Sequence, residues 1–319
     1  MKASAVAHPI QGLIKYHGLR DERLRIPFHD SISVCTAPLA THTTVEFGRG
    51  EDSAEFDGHK ASPQEMARIM AVVDPLRQLA GEKGGMRMIS HNNFRSNIGL
   101  GASASGFAAL ALACAEALSL DLPLKDISRY ARRGAGSAAR AVTGGFSIWH
   151  AGVDDESSYS EMIASSKDMD MGILAVIVPA YKVTDTAHRE VVTSPFFQAR
   201  LETVNASLEQ MLSAISSGDV NRVGELAEKD TLVLHSITMT GSDQMLLWRP
   251  ETLRIMARVK ELRYEGLNCH FSIDTGATVY VNCPLREMKE VEDGLKDLEL
   301  PIMKCQVGDQ AKTVSEHLF

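Results

Sequence analysis

Short alternating runs of apolar and polar residues fill the first part of the chain and predict strands. The segments ISVCTA, at 32–37, and HTTVEF, at 42–47, are rich in β-branched and apolar side chains and are followed by turn residues. The period then changes to that of a helix, with Ser62 as N-cap and Pro63 at the first helical position. Residues 85–94 alternate again, so we expect a strand that leads into the glycine-rich segment after it.

Longer helical periods dominate the second half of the chain. Residues 169–181 predict a buried strand, and here we place the boundary between two domains, 1–172 and 173–319. Because strands and helices mix without a regular βαβ alternation, the pattern indicates an α+β fold of mixed or antiparallel sheets packed with helices. Further helices are predicted at 103–118, 195–216, 219–235, 249–264 and 285–298, two strands within 268–283, and a final strand at 302–308.

Composition and charge are those of an ordinary globular protein. The chain has 319 residues, of which 44% are hydrophobic and 23% charged, and its formal net charge is -8. This acidic balance argues against a nucleic-acid partner or a polybasic membrane contact, although a local cluster of Lys and Arg still admits an anionic substrate. No apolar run reaches the length of about 20 residues that crosses a bilayer, and the N-terminus has no signal-peptide pattern. We therefore expect a cytoplasmic protein.

The cysteines give neither a disulfide nor a metal pattern. There are five of them, and no two are separated by only two residues. Buried, reduced thiols are the expectation, and no metal site is predicted.

A glycine-rich segment, NIGLGASASG, is the first candidate for binding chemistry. Gly99 and Gly101 allow the backbone to turn tightly towards a ligand, and Ser103 and Ser105 begin a helix whose free N–H groups favour an anion. We interpret the segment as a phosphate loop. The alternative is a close-packed helix start in which Gly and Ala only make space.

Two cations stand in unusual surroundings. Lys15 lies between Ile14 and Tyr16, where an ammonium group needs an anionic partner. Arg140 falls one turn into a helix that starts after the small-residue turn ending at Ser137. A guanidinium there is able to fork onto a carboxylate or phosphate, and an ordinary salt bridge is the equal alternative.

One carboxylate interrupts an apolar segment near the C-terminus. Asp274 lies in HFSIDTGATVYV, next to a Thr–Gly turn. Such an aspartate is commonly a turn cap or the partner of a buried cation. A catalytic role would require Lys15 or Arg140 nearby to hold it ionised.

Together these segments resemble the diphosphomevalonate decarboxylase family of the GHMP kinase superfamily. The matching segments are IKYHGLRDERLRIPFHDSISV, NNFRSNIGLGASASGFAAL, GSAARAVTGGF and IDTGATVYV, in the family's order and spacing over nearly the whole chain. The N-terminal AHPIQGLIKYHG and the CTAP segment look closest to an archaeal branch that handles mevalonate 5-phosphate. The resemblance implies a two-lobed GHMP-kinase-like fold and a carboxy-lyase of the mevalonate pathway of isoprenoid biosynthesis. It also implies a homodimer.

The resemblance also implies a role for each candidate residue. Asp274 matches the family's essential aspartate, Arg140 the arginine that holds the substrate carboxylate, and Lys15 the lysine beside that aspartate. Tyr16 and Ser137 match residues that contact the substrate. Asp274 further distinguishes the chain from related mevalonate 3-kinases, which lack it.

Departures from the family pattern occur where a polyphosphate would bind. Ala102 replaces a serine of the phosphate loop, Leu19 replaces a lysine, and Arg95 stands where ATP-dependent members have proline. In the segment YKVTDTAHR, Lys182 is the cation that we assign to substrate binding. From these losses we expect no cofactor and a substrate that is already phosphorylated, mevalonate 3,5-bisphosphate, decarboxylated to isopentenyl phosphate without ATP. The alternatives are an ATP- and Mg-dependent decarboxylase of mevalonate 5-phosphate and a non-catalytic ligand-binding relative.

Overall fold

Helices and strands follow one another through the computed structural model, which describes residues 1–96, 98–179 and 184–319. The strands are β1 Lys2–Ala7, β2 Ile10–Ile14, β3 Leu19–Asp21, β4 Ile26–Pro27, β5 Ser31–Ala37, β6 Thr41–Arg49, β7 Ser53–Phe56, β8 His59–Lys60, β9 Gly85–Asn92, β10 Phe146–Trp149, β11 Ser160–Ala164, β12 Met171–Val176, β13 His270–Ser272, β14 Val279–Pro284, β15 Ile302–Val307 and β16 Lys312–Val314. The α-helices are α1 Pro63–Ala80, α2 Ala102–Ala117, α3 Leu124–Gly134, α4 Ala138–Thr143, α5 Thr184–Glu190, α6 Phe197–Ser216, α7 Val220–Met239, α8 Pro250–Tyr264 and α9 Met288–Leu295.

The first sheet has the strand order β16-β1-β6-β9-β7-β8 and is antiparallel except between β7 and β9. Helices α1 to α4 form a layer with this sheet, and α2 packs directly on β1 and β6. Half of the sixteen residues of α2 are alanines, and eleven of the sixteen are buried. Their small side chains let the helix lie close to the sheet and to its neighbouring helices, so the start of α2 is held in a fixed place.

A second sheet follows the order β11-β10-β5-β15-β12-β14-β13, with β2 also paired to β5. Strand β12 shows why this sheet is covered on both faces. Its residues Ile173 and Ala175 belong to the core shared with α6 and α7, whereas Leu174 and Val176 belong to the core shared with α8 and α9. Alternate residues of a strand point to opposite faces, so a wholly apolar strand lies between two helical layers.

The predicted elements are largely confirmed. Helix α1 begins at the expected cap, where Ser62 and Glu65 form a capping box. The five cysteines are buried and unpaired, as expected. One expectation is wrong: the strand at 302–308 is not the last, because β16 follows it and pairs with β1. The domain boundary at 172/173 stays a prediction, and strands from both sides of it share each of the two large sheets.

Candidate functional site

A cavity lies where β2 ends and α2 begins. Helix α4 and the turn after β13 close it from the other sides. The lining brings together residues that are far apart in the sequence: Ile10, Gly12, Lys15, Tyr16, His17, Gly101, Ala104, Ser137, Arg140, His188, Leu234, Asp274 and Thr275. Six of the predicted site residues are therefore at one place, namely Lys15, Tyr16, Gly101, Ser137, Arg140 and Asp274.

The carboxylate of Asp274 lies just beyond the end of β13 and is only partly buried. The backbone N–H of Gly12 donates to both of its oxygens, at 3.1 Å and 3.3 Å. A Cβ atom at Gly12 would stand 2.7 Å from the side chain of Lys15 and 3.0 Å from Oδ1 of Asp274. Glycine is thus required for the backbone of β2 to approach this carboxylate. The bond fixes the orientation of the carboxylate at the cavity.

Lys15 is buried, and polar groups surround its ammonium. Its Nζ donates to Oγ1 of Thr231 at 3.0 Å and to Oγ of Ser272 at 2.9 Å, and lies 3.8 Å from Oδ2 of Asp230. Burial lowers the pKa of Lys15 below its usual value, while the negative charges of Asp230 and Asp274 oppose that shift. Lys15 therefore has the anionic partner that its apolar surroundings in the sequence required.

Arg140 is equally buried but has fewer polar partners. Its Nη1 donates to Oγ of Ser31 at 2.6 Å, and its Nε has no hydrogen-bond partner among the described residues. The guanidinium carbon lies 5.4 Å from the ring centre of Tyr16 and 5.7 Å from that of Trp149. Burial lowers its pKa to about 10, and the group stays charged at neutral pH. No carboxylate in the described ranges forms an ion pair with it, so the salt-bridge alternative finds no support there.

Aromatic rings form one wall of the cavity. The ring of Tyr16 stacks on that of His188 with centres 4.9 Å apart and meets Trp149 edge-on at 4.7 Å. Gly136 permits this packing, because a Cβ atom there would stand 2.5 Å from the Tyr16 hydroxyl. The next residue, Ser137, is the N-cap of α4 and lines the cavity beside Arg140.

The glycine-rich segment places the start of α2 between this cavity and a second cleft. Gly99 and Gly101 have φ angles of 86° and 76°, which favour glycine, and no side chain caps the helix at Gly101. Ser103 is exposed and lines the second cleft rather than the cavity. Ser105 faces neither, since its hydroxyl is buried and bonds with Oγ1 of Thr41 at 2.6 Å. The uncapped helix start is thus the feature that a phosphate would meet.

The second cleft has a volume of about 460 Å³, which is within the range of small-molecule sites. It combines hydroxyl, charged and aromatic side chains on the flank of α2 that faces away from Asp274. The lining residues are Thr41, Phe56, Asp57, His59, Glu65, Arg68, Met88, Ser90, Asn92, Ser96, Ala102, Ser103, Gly106, Phe107 and Leu110. Two ligands are therefore able to approach the start of α2 from opposite sides.

Two buried charged residues near the cavity were not predicted from the sequence. Arg200 and Asp230 are both buried, and Nη2 of Arg200 donates to Oδ1 of Asp230 at 3.0 Å. Each lies on the apolar stripe of its helix, Arg200 between Phe197 and Val204, and Asp230 between Ala227 and Leu234. A charged residue on a buried helical face is a readable signal, because such groups are rarely buried without a partner.

Some predictions remain without a structural counterpart. Lys182 lies outside the described residues, so its assignment to substrate binding stays a prediction. No cluster of three or more His, Cys, Asp or Glu residues in the described ranges has the arrangement of a metal site. None of the helices described is both long and apolar enough to span a bilayer.

Comparisons with known proteins agree with this architecture. Residues 7–160 match the diphosphomevalonate decarboxylase-like N-terminal domain. Over 99% of its length the chain is 46% identical to phosphomevalonate decarboxylase of Haloferax volcanii, of which 98% is covered. A solved structure of mevalonate diphosphate decarboxylase from Enterococcus faecalis, described with an ATP-binding mechanism, superposes with a TM-score of 0.91 at 30% identity, over 99% of both chains. A complex of MDDEF with MVAPP, AMPPCP and magnesium gives a TM-score of 0.92 at 30% identity, again over 99% of both chains.

The fold is thus the GHMP-kinase-like α+β fold, in the form found in carboxy-lyases that act on phosphorylated mevalonate. The chain belongs to the diphosphomevalonate decarboxylase family. The sequence-based identification of the family and of the fold is confirmed.

The comparisons overturn two expectations, the ATP-free reaction of a bisphosphate and the absence of a cofactor. The Haloferax relative is named for a monophosphate substrate, and a solved neighbour holds an ATP analogue with magnesium. The physical reason lies at the start of α2, where the missing hydroxyl of Ala102 does not remove the capacity to bind phosphate. A helix start binds phosphate mainly through backbone N–H groups and its dipole, and these do not depend on the side chain at that position.

Proposed function

We propose that this protein is an ATP-dependent decarboxylase of mevalonate 5-phosphate. The products would be isopentenyl phosphate, carbon dioxide, ADP and phosphate. The observation that carries the proposal is the convergence of Asp274, Lys15 and Arg140 on one cavity beside the uncapped start of α2. Identity of 46% to a phosphomevalonate decarboxylase over nearly the whole chain supports the choice of substrate.

The second cleft fits the nucleotide. Its volume, its aromatic side chains Phe56 and Phe107 and its position beside the start of α2 suit a base with a phosphate tail. Ser103 and the backbone N–H groups of the first turn would hold the phosphates. MgATP supplies the phosphoryl group, and magnesium would neutralise phosphate charge. Magnesium usually binds one or two carboxylates together with phosphate oxygens and water. In the cleft, Asp57 or Glu65 would supply the carboxylate.

Asp274 would act as the general base of the first step. Its carboxylate accepts the proton of the C3 hydroxyl, while that oxygen forms a bond to the transferred phosphoryl group. Nearby cations favour the ionised carboxylate, and Lys15 and Arg140 are cations that line this cavity among the described residues. Lys15 would also stabilise the negative charge that accumulates on the 3-phosphate as it departs.

Arg140 would orient the second step. Its guanidinium is fixed by Ser31 and by the rings of Tyr16 and Trp149, and would hold the substrate carboxylate through paired hydrogen bonds. As the C3–O bond breaks and phosphate leaves, the electrons of the C1–C2 bond form the new C2=C3 double bond, and C1 leaves as carbon dioxide. Holding the breaking bond in line with the vacated orbital is an orientation effect.

The remaining side chains would complete the binding of the substrate. Tyr16 and Ser137 would contact its carbon chain and carboxylate end, and Lys182 its 5-phosphate. The cytoplasmic location and the homodimer stay predictions.

A turnover assay with three substrate mixtures tests this function. Purified protein receives mevalonate 5-phosphate with MgATP, mevalonate 5-diphosphate with MgATP, or mevalonate 3,5-bisphosphate without nucleotide, and released carbon dioxide and ADP are measured. We expect equal amounts of both products from the first mixture and a much lower rate from the second. Absence of carbon dioxide from the first mixture would refute the proposal, and binding without turnover would identify a non-catalytic relative.

A further inference from the structure

The peptide unit of Lys15 lies outside the sheet that precedes it. Strand β2 ends at Ile14, which pairs with Ile32 of β5. The backbone of Lys15 is nevertheless buried, so its N–H and C=O groups need partners from elsewhere. Helices α6 and α7 supply them, through one side chain each.

These two side chains close a ring around the lysine backbone. The N–H of Lys15 donates to Oδ2 of Asp230 at 2.9 Å, and its carbonyl accepts from Nη2 of Arg200 at 2.5 Å. The same Nη2 donates to Oδ1 of Asp230 at 3.0 Å, which links the two side chains to each other. All three residues are at most 5% exposed. The ring therefore holds the backbone from which the ammonium extends into the cavity.

We propose that Asp230 and Arg200 are positioning residues for the reaction, which hold Lys15 at the end of β2 and set the charge around its ammonium. This inference rests on the function proposed above.

The charges around the ammonium act in opposite directions. Asp230 on α7 and Asp274 after β13 are the carboxylates near Lys15, whereas Arg200 on α6 and Arg140 on α4 are the cations. His235 of α7 also lies close, and its pKa, at about 4, leaves it neutral in the working range. The carboxylates raise the pKa of Lys15 and the arginines lower it, against a background of burial that lowers it. Removing Asp230 or Arg200 must therefore shift the titration of Lys15 in opposite directions.

The test compares Asp230→Asn, which keeps the size of the side chain, with Arg200→Gln, which removes the charge and leaves a shorter polar side chain. The dependence of kcat/KM on pH is measured with mevalonate 5-phosphate and MgATP, and its fall at high pH is followed as the ammonium is lost. We expect this fall to move to lower pH in Asp230→Asn and to higher pH in Arg200→Gln. In both variants kcat should decrease by about 100-fold, as happens when a reacting group is displaced by a mutation away from the chemistry.

Glu225→Gln is the matched control. It removes a carboxylate from the exposed side of α7, where Glu225 pairs with Arg222 at 2.6 Å, and should leave the pH profile unchanged. Circular dichroism and thermal unfolding report whether each variant is folded. If the single variants do not fold because a buried charge is left unpaired, the double variant Asp230→Asn/Arg200→Gln removes both charges. In that variant kcat should still be lowered by about tenfold, because the ring of charged hydrogen bonds is lost.

Folded single variants whose pH profiles coincide with that of the wild type, or shift in the same direction, would overturn the inference. So would a folded double variant with a kcat within about twofold of the wild type. An inactive wild type would instead refute the proposed function, so the two failures are distinguishable.

Discussion

The two buried cations of the cavity differ in how the protein satisfies them. Lys15 has a carboxylate at 3.8 Å and two hydroxyl acceptors within 3.0 Å. Arg140 has one hydroxyl, two aromatic rings and a buried Nε without a partner among the described residues. Burying a charge costs several kcal/mol unless it is paired, so the two groups are in unequal states before any ligand binds.

This difference supports the proposal that Arg140, and not Lys15, binds the carboxylate of the substrate. The ammonium of Lys15 lies near Asp230, a carboxylate that also pairs with Arg200, whereas no carboxylate among the described residues pairs with the guanidinium of Arg140. A substrate carboxylate would supply the missing partner, and its binding would be strengthened by the low dielectric of the cavity. Asp274 lines the same cavity, and its carboxylate accepts hydrogen bonds from the backbone N–H of Gly12.

The largest expected effect belongs to Asp274→Asn. This change keeps the size of the side chain and its contact with Gly12 but removes the proton acceptor. We expect kcat to fall by about 1,000-fold, within the range of general-base catalysis, while binding of mevalonate 5-phosphate by calorimetry changes little.

The control for that experiment is Asp293→Asn, an exposed aspartate that pairs with Lys289 on α9 and should have normal turnover. A rate for Asp274→Asn within tenfold of the wild type would remove the carboxylate from the mechanism. The explanation in which Lys15 and Arg140 keep Asp274 ionised for catalysis would then be wrong.

The next effect concerns the free energy of unfolding, which two buried histidines near Lys15 and Arg200 should make dependent on pH. His29 and His235 are buried there, and burial together with the nearby cations Arg200 and Lys15 lowers the pKa of each ring to about 4. In the unfolded chain a histidine takes up its proton near pH 6.5, so falling pH favours the unfolded state progressively between 6.5 and 4. As the pH falls from 6.5 to 4, each ring should therefore lower the free energy of unfolding by up to about 3 kcal/mol. Above pH 6.5 neither ring should make the free energy of unfolding depend on pH.

Urea unfolding at several pH values between 7 and 4.5 measures this loss. The variants His29→Gln and His235→Gln should each show a smaller decrease than the wild type, and His59→Gln, at an exposed position, should follow the wild type. Equal pH dependence in all four proteins would show that the two rings are not held neutral by this side of the cavity.

Much of this arrangement could be predicted from the sequence, but not by the same kind of signal throughout. The start of α1 and both ends of α6, α7 and α8 were predicted to within a few residues, because their apolar periods and N-terminal signals are local. The short strand β16 was missed, since its three residues owe their conformation to pairing with β1, at the other end of the chain. Local propensity carries no information about such a partner.

The site shows the same limit. Lys15, Arg140 and Asp274 are separated by more than a hundred residues each, and only the family resemblance implied that they meet. Arg200 and Asp230 interrupt apolar helical faces and could have been recognised as paired buried charges. Their common target, the backbone of Lys15, required the packing of α6 and α7 on β2.

A substitution on the other side of the cavity sharpens the comparison further. Arg140→Lys keeps the charge but loses the planar fork, so a substrate carboxylate would be held by a single point charge. We expect kcat/KM for mevalonate 5-phosphate to fall by about 30-fold, equivalent to about 2 kcal/mol of lost charged hydrogen bonding. Steady-state kinetics at pH 7.5 measures the change, and KM for ATP should stay constant. An unaltered kcat/KM would mean that Arg140 is a structural ion rather than the carboxylate ligand.

The smallest effect is expected for Ser31→Ala, which removes the single hydroxyl acceptor of Arg140. The arginine would keep its place between the rings of Tyr16 and Trp149 but would be less well oriented, so KM for mevalonate 5-phosphate should rise by about fivefold with kcat nearly constant. Ser160→Ala, a buried serine that bonds with Thr143 and not with Arg140, is the matched control for losing a buried hydroxyl. A larger effect on kcat than on KM would show that Ser31 governs the alignment of the breaking bond as well as binding. Contacts within the protein would then position the guanidinium of Arg140 as strictly as they position the ammonium of Lys15. The contrast between the two cations would not hold.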